Sequence, residues 1–303
     1  MHYYLGLDFG GTKLAVGLVD QAGRIDAFGR SATDPEAGPD GAIEAMRRLV
    51  DGFPDGSPRP EAVGISFGGP VDAARRRVLL SHHGPGWNDF PLVERVASSW
   101  NCPVEMDNDA NAAALGEARY GAGRGRRNVL YVTVSTGIGA GVIVDGELYR
   151  GSHGLSGELG HTIVLPDGPF CPCGKRGCVE AIASGPSIAR AYTEAGGIAS
   201  GVVTAPMVFE RAASGDPIAR RVLATAIDLL GIGIANAINM LDPDVVIVGG
   251  GVSRAGEAFF APLREAVQRV GAPSPPGAVP VVPAELGDAV GVLGAVALVV
   301  PST

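Results

Sequence analysis

Positive charge is in short supply in this chain: 24 Lys and Arg stand against 32 Asp and Glu, which leaves a formal charge of −8. Such a balance offers no general attraction to nucleic acid or to an anionic membrane, so neither is expected as a partner. The N-terminus also lacks a basic start, a hydrophobic stretch of signal length and a cleavage site, which predicts a cytoplasmic protein. The apolar C-terminal run, Ala289 to Val300, is too short to cross a bilayer and contains two glycines; it reads as a buried closing helix. Low-complexity sequence is missing as well, because the 46 glycines and 23 prolines fall at turns between apolar segments. What is present is core material: 46% hydrophobic residues over 303 positions suffices for one large domain or two ordinary ones.

The familiar phosphate-binding motifs are absent too. In LGLDFGGTKLAVGLVD, Leu5 to Asp20, the residues Gly10, Gly11, Thr12 and Lys13 come in the wrong order for a P-loop. Leu14 to Val19 then continues as a short run of β-formers and not as a helix. The unit is therefore strand, glycine turn, strand. It is echoed about 125 residues later in NVLYVTVSTGIGAGVIVD, Asn128 to Asp145, where Thr136 and Gly137 occupy the turn. Two such hairpins predict two related α/β halves, each presenting backbone N–H groups to phosphate. A third glycine turn, Gly249-Gly250-Gly251, ends the strand Val245 to Val248 and precedes a helix expected to start near Ser253. Elsewhere the pattern predicts helices over Gly41 to Asp51 and Pro91 to Trp100, strands over Ala62 to Phe67 and Val104 to Met106, and an alanine-rich helix from Asp107-Asn108-Asp109 to about Tyr120. Alternation of strands and helices argues for an α/β fold.

Cysteine is scarce, and its placement is informative. Three of the four cysteines fall in CPCGKRGC as Cys171, Cys173 and Cys178, with His161 ten residues before the first. One imidazole and three thiolates make a tetrahedral zinc site of the closed, structural kind. The alternatives are a disulfide or unrelated buried thiols; an odd number, a spacing of two and a reducing compartment disfavour the disulfide. Cys102 reads as a small apolar core residue.

Near these ligands lies GLSGELGH, carrying Glu158 and His161, and Glu180 follows the last cysteine by two. Gathered around a metal, they suit a polyhydroxylated ligand; taken alone, the carboxylates read as solvated loop residues. Asn108 and Asp109 stand where a strand meets a helix, a place where ligands collect in α/β proteins, although Asp109 is also a natural helix N-cap. Asp8, at the end of the first strand, is a candidate to hold Mg²⁺ through water. Lys13 either touches phosphate or reaches solvent. His82, His83 and Trp87 read as loop residues or pocket rim.

Taken together, LDFGGTK, DNDANAAALGE, TVSTGIGAGVIVDGELYRG, GELGH, CPCGKRGCVE, VIVGGGVS and GDAVGVLGA resemble, in order and over nearly the whole chain, the ROK family (repressors, open reading frames, kinases) of bacterial sugar kinases. The resemblance implies an actin-like ATPase (ribonuclease H-like) two-domain α/β fold with a central cleft for ATP, Mg²⁺ and a hexose. The division expected is residues 1–110 with 290–303 as a small domain, and 111–289 as a large domain carrying the zinc loop. It implies Asp109 as catalytic base, and Asn108, Asp109, Glu158, His161, Glu180 and Gly69 as sugar contacts. It further implies Gly10, Gly11, Thr12 and Lys13 as the first phosphate loop, Thr136 and Gly137 as the second, and Gly250 and Gly251 as the adenosine loop. His161, Cys171, Cys173 and Cys178 match its Zn²⁺ ligands, and a homodimer or homotetramer is its usual assembly. The chain departs from the family pattern at Phe67-Gly68-Gly69-Pro70, where a proline-glycine pair is usual, on one wall of the sugar site.

The implied reaction moves the γ-phosphoryl group of ATP to the 6-hydroxyl of a hexose, with glucose favoured by GPGW (Gly84 to Trp87) and GPVD (Gly69 to Asp72). An exposed carboxylate near pKa 3.9 is a weak base, so positioning by Asp109 is expected to matter more than basicity. The alternative within enzymes is an N-acetylglucosamine or N-acetylmannosamine kinase. The alternative outside them is a non-catalytic sugar-sensing member of the family, disfavoured by Asp109. A repressor's helix-turn-helix is not expected before a hairpin that starts at about Tyr3.

Overall fold

Why the two hairpins fold as they do is visible in the burial of their strands. The computed structural model describes residues 2–74, 76–80, 84–197, 201–271 and 278–301. Two compact units result: Met1–Gly125, Gly146–Leu155 and Glu285–Thr303 form the first, and Arg126–Asp145 and Ser156–Ala284 the second.

In the first unit β1 (Tyr3–Phe9) and β2 (Lys13–Asp20) are almost wholly buried and pair antiparallel, Leu5 opposite Leu18 and Asp8 opposite Ala15. Strand β3 (Ile25–Ala32) alternates half-buried and exposed residues, as an edge strand with one solvated face must. Helix α1 (Gly38–Asp51), strand β4 (Ala62–Phe67), helix α2 (Leu92–Trp100), strand β5 (Val104–Asn108) and helix α3 (Asp109–Tyr120) follow. The sheet order is β3-β2-β1-β4-β5, with β4 parallel to β1 and β5 parallel to β4. Its register sets Asp8 beside Ser66 and Phe67 beside Asn108, so the carboxyl ends of three strands deliver the polar residues to one edge.

The second unit repeats this topology. Strands β6 (Val129–Val134) and β7 (Ile138–Val144) form the antiparallel hairpin, followed by helices α4 (Val179–Ala183), α5 (Gly185–Glu194), α6 (Ala205–Ala213) and α7 (Pro217–Leu241). Strand β8 (Val245–Gly249), helix α8 (Glu257–Val270) and strand β9 (Val281–Pro283) complete it, in the order β7-β6-β8-β9 with β8 and β9 parallel to their neighbours. The chain after Gly251 does not enter its helix near Ser253. Residues Val252–Ala255 make a single 3₁₀ turn, Gly256 breaks it, and α8 begins at Glu257. Helix α7 is long and apolar enough to cross a membrane by length and composition, yet Val222, Leu223, Ala226, Ile227, Leu230 and Ile234 pack into this unit's core. Asp216 caps its N-terminus, accepting from the Ile218 and Ala219 N–H groups.

Helix α9 (Val290–Ala297) returns to the first unit and is buried on every side, as its apolar sequence predicts, with Val292, Leu293 and Val296 against Tyr4, Ala15 and Val19. Helix α3 belongs to this unit as well, so the boundary falls near Gly125 and not at residue 110. One buried carboxylate joins the segment leaving the unit to the one returning: Glu117 accepts from the backbone N–H groups of Ala122, Glu285 and Leu286.

Candidate functional site

At the polar edge of the first unit, Asp8 is buried and its Oδ1 accepts from the Ser66 hydroxyl at 2.9 Å. Burial raises its pKa, with the Ser66 hydrogen bond and the Lys13 charge opposing the rise. The backbone of Gly291 closes over it: a Cβ there would fall 2.3 Å from the Asp8 carboxyl carbon, so the position tolerates no side chain without moving Asp8. In the hairpin tip beside it, the Gly10 N–H donates to the Lys13 carbonyl at 3.1 Å and is therefore engaged within the turn. Gly11 and Thr12 are exposed and present the tip to solvent. Lys13 extends to the Asp288 carbonyl at 3.4 Å, which answers the question of its direction in this unit.

At the strand-to-helix junction the cap falls to a different residue from the one the sequence offered for it. Asn108, and not Asp109, is the helix N-cap: its Oδ1 accepts from the Asn111 N–H at 2.7 Å. Asp109 is the first helical residue, and its carboxylate is free of capping duty beyond its own N–H and that of Ala110. Its pKa is raised to about 6, first by loss of hydration and then by the charge of Asp8. The side chain keeps exposed surface, so protein crowding and the like charge oppose its ionisation without excluding water. Asp109 is thus a stronger base than the carboxylate of ordinary pKa expected from sequence.

In the second unit the tip of the β6–β7 hairpin leaves Thr136 exposed, while Glu180 Oε2 accepts from the Ile138 N–H at 2.9 Å. Glu180 therefore braces the second glycine turn with one carboxylate oxygen. Gly250 takes a φ of +90°, and a Cβ there would meet the Val134 carbonyl at 2.4 Å, which explains a glycine at this turn. Gly251 borders a hollow of about 230 Å³ whose walls include Pro206, Phe209, Glu210, Val252 and Arg254. None of these wall residues was singled out from sequence, because nothing in a helix-surface phenylalanine signals which turn it will face.

The cysteine cluster assembles as the spacing suggested. The donor atoms of His161, Cys171, Cys173 and Cys178 all lie within 4.8 Å of one another, with Cys171 Sγ 3.7 Å from His161 Nδ1 and Cys173 Sγ 3.6 Å from Cys178 Sγ. Ligands at about 2.3 Å around a tetrahedral ion sit roughly 3.7 Å apart, so this donor set fits Zn²⁺. The Nδ1 side of His161 faces the sulfurs, and its Nε2 lies 3.9 Å from Glu158 Oε2. Glu158 is exposed on the turn leading to His161. Cys102 is half-buried against the first unit's core, apart from the cluster.

Trp87 lies in a loop, as its glycine- and proline-rich surroundings predict, but its side chain is buried, its ring 5.0 Å from Phe67 and 6.1 Å from Phe9 between centroids. Phe67, the departure from the family pattern, points into this aromatic cluster and is fully buried, while Gly69 remains at the strand's end with its N–H on the Phe67 carbonyl. His82 and His83 lie outside the described residues.

Comparison with known proteins adds independent findings. A sequence model described as the ROK family matches residues 4–301. The chain is 37% identical to a protein named glucokinase from Thermotoga maritima, over 97% of this chain and 96% of that one. It is 38% identical to an N-acetylmannosamine kinase from Citrobacter koseri, over 86% and 87%. Among solved structures it is similar to a ROK family glucokinase from Streptomyces griseus in complex with glucose and AMPPNP, with a TM-score of 0.83, 37% identity and 98% of both chains covered.

Proposed function

The chain belongs to the ROK family, and we propose that it is an ATP-dependent hexose kinase that phosphorylates the 6-hydroxyl of glucose. Its fold is the actin-like ATPase fold, two α/β units sharing one topology. The observation that carries the functional reading is the likeness, along 98% of both chains, to a glucokinase solved with glucose and AMPPNP.

The geometry supports a division of labour. Asp109 accepts the proton of the attacking hydroxyl; with a pKa of about 6 it is mostly carboxylate at neutral pH and still basic enough to take a proton as the phosphoryl group departs. Asn108, its Oδ1 fixed by the cap, offers its amide hydrogens to a sugar oxygen. Glu158, the Nε2 of His161, the unbraced oxygen of Glu180 and the turn at Gly69 contact the sugar hydroxyls. The tip N–H groups of Gly11 and Thr12 in one unit, and of Thr136 and Gly137 in the other, hold phosphate oxygens as charge develops. The hollow beside Gly250 and Gly251 takes the adenine, with Phe209 as its apolar wall.

Asp8 would hold Mg²⁺, whose charge offsets that of the phosphates. His161, Cys171, Cys173 and Cys178 would hold Zn²⁺, which orders the loop presenting His161 and Glu180 and supplies no chemistry of its own. A cytoplasmic location belongs to the same reading, since thiolates reserved as metal ligands suit a reducing compartment. A homodimer or homotetramer is part of the same reading, on the family resemblance.

A second reading, an N-acetylmannosamine kinase, is favoured by the Citrobacter relative at 38% identity. ADP release measured with glucose, mannose, fructose, N-acetylglucosamine and N-acetylmannosamine decides between them. The highest kcat/KM is expected with glucose; a preference for N-acetylmannosamine selects the second reading, and no release with any of the five points to a sugar sensor.

A further inference from the structure

Immediately before the Asn108-Asp109 pair stands a carboxylate with no assigned role. Asp107 is buried, its side chain 3% exposed, and both of its oxygens are engaged. Oδ1 accepts from the Asn108 backbone N–H at 2.8 Å and from Asn111 Nδ2 at 2.8 Å; Oδ2 accepts from Arg150 Nε at 2.6 Å. A carboxylate only accepts, so these three donors leave no ambiguity of direction.

The orientation of Asn111 shows which member of the network dominates. Its NH₂ end faces Asp107, and among the described residues no donor reaches its buried Oδ1. Turning the amide over would set oxygen against oxygen at Asp107, so the negative charge holds Asn111 in place even at the expense of a buried carbonyl left without a partner. Asn111 in turn gives its backbone N–H to Asn108 Oδ1. Asp107 therefore grips Asn108 twice, directly at the backbone and through Asn111 at the side chain, one residue before Asp109. Arg150 approaches through its Nε and is half-exposed, so it is the one member of the network that can be truncated without emptying the core.

We propose that Asp107 and Arg150 form a positioning pair that sets the direction of Asn108 and Asp109 for the reaction, with Arg150 supplying the counter-charge that keeps Asp107 gripping the junction. This rests on the reading of Asp109 as the base. Neither residue touches substrate; both act through the junction.

The test is the single-turnover rate of hexose phosphorylation in Arg150→Ala and Asp107→Asn, with thermal midpoints recorded for both and Asp109→Asn run beside them. Misplacement of reacting groups by about 1 Å costs about 100-fold, so a loss of that order is expected in Arg150→Ala, with the KM for ATP little changed. Ethylguanidinium at millimolar concentration is expected to recover about tenfold of the rate in Arg150→Ala and nothing in Asp107→Asn, because only the former leaves the Asp107 carboxylate to receive a planar cation. Arg150→Lys is expected to stay below the rescued rate, since an ammonium cannot reproduce the Nε–H geometry. A rate in Arg150→Ala within about threefold of the parent, or a loss that ethylguanidinium does not recover, overturns the proposal. If Asp109→Asn keeps a near-normal rate, the base assignment itself has failed; if Asp109→Asn is inactive while Arg150→Ala is not, only the positioning pair has.

Discussion

The raised pKa of Asp109 makes the acid side of the pH profile a quantitative test. If the base titrates at about 6 in the free enzyme, about nine-tenths of it is ionised at pH 7 and about one-tenth at pH 5. The rate with hexose and Mg·ATP both far below saturation, which reports the free enzyme, is then expected to fall about tenfold across that interval. A carboxylate at its ordinary value of 3.8 would remain almost fully ionised at pH 5, and the profile would be nearly flat. The two causes of the shift can be separated. Loss of hydration is the larger, and the Asp8 charge is the second, so Asp8→Asn should move the acid limb downward without bringing it to 3.8, whatever it does to the plateau. The sign for stability is opposite to that for activity. A carboxyl whose folded pKa lies above its unfolded value contributes stability at low pH that is lost as pH rises through about 6, so Asp109→Asn should be more heat-stable than the parent at pH 7.5, with the gain vanishing below about pH 4. A profile flat to pH 5, or a limb that stays in place in Asp8→Asn, refutes the reasoning.

Gly291→Ala places a methyl 2.3 Å from the Asp8 carboxyl carbon, and the expected result is a fall in kcat of tenfold or more in a protein that still folds, checked by steady-state assay and circular dichroism. Truncating Glu117 to Ala leaves three backbone N–H groups without their acceptor, which should cost about 3 kcal/mol or more in urea unfolding of the whole chain; a change under about 1 kcal/mol would remove its role in joining the two segments. Freshly purified protein should carry about one equivalent of zinc, and its chelation or Cys178→Ser should lower the thermal midpoint and speed hydrogen exchange over residues 156–180; metal content well below one equivalent in stable, active protein would speak against the site.

How far the sequence reached depends on whether the deciding contact is local. Hairpins, buried strands and the gathering of His161 with the cysteines were legible because their signals are short-range: apolar runs broken by glycine, and cysteines two and five residues apart. Strand β3 was not, since IDAFGRSA carries only half an apolar pattern and becomes a strand by pairing with β2 at the sheet edge. Helices α4 to α7 went unread because alanine- and glycine-rich segments acquire their apolar face only through the tertiary core they enter. At Asn108-Asp109 the junction of strand and helix was legible, but the allocation of its hydrogen bonds was not. DND did not say that Asn108 caps the helix while Asp109 stays free, nor that Asp107 needs an arginine 43 residues away. Trp87 looked like rim because glycines and prolines surround it in sequence, whereas its aromatic partners Phe9 and Phe67 come from two separate strands.

The central claim, phosphoryl transfer from ATP to the 6-hydroxyl of glucose, is tested most directly by the regiochemistry of the product. Protein incubated with Mg·ATP and glucose, followed by phosphorus-proton correlation NMR, should yield one sugar phosphate coupled to the two protons on carbon 6, and Asp109→Asn should form it far more slowly. A phosphate coupled to any other ring proton, or ATP left unconsumed with glucose and with the other four hexoses, would contradict the account.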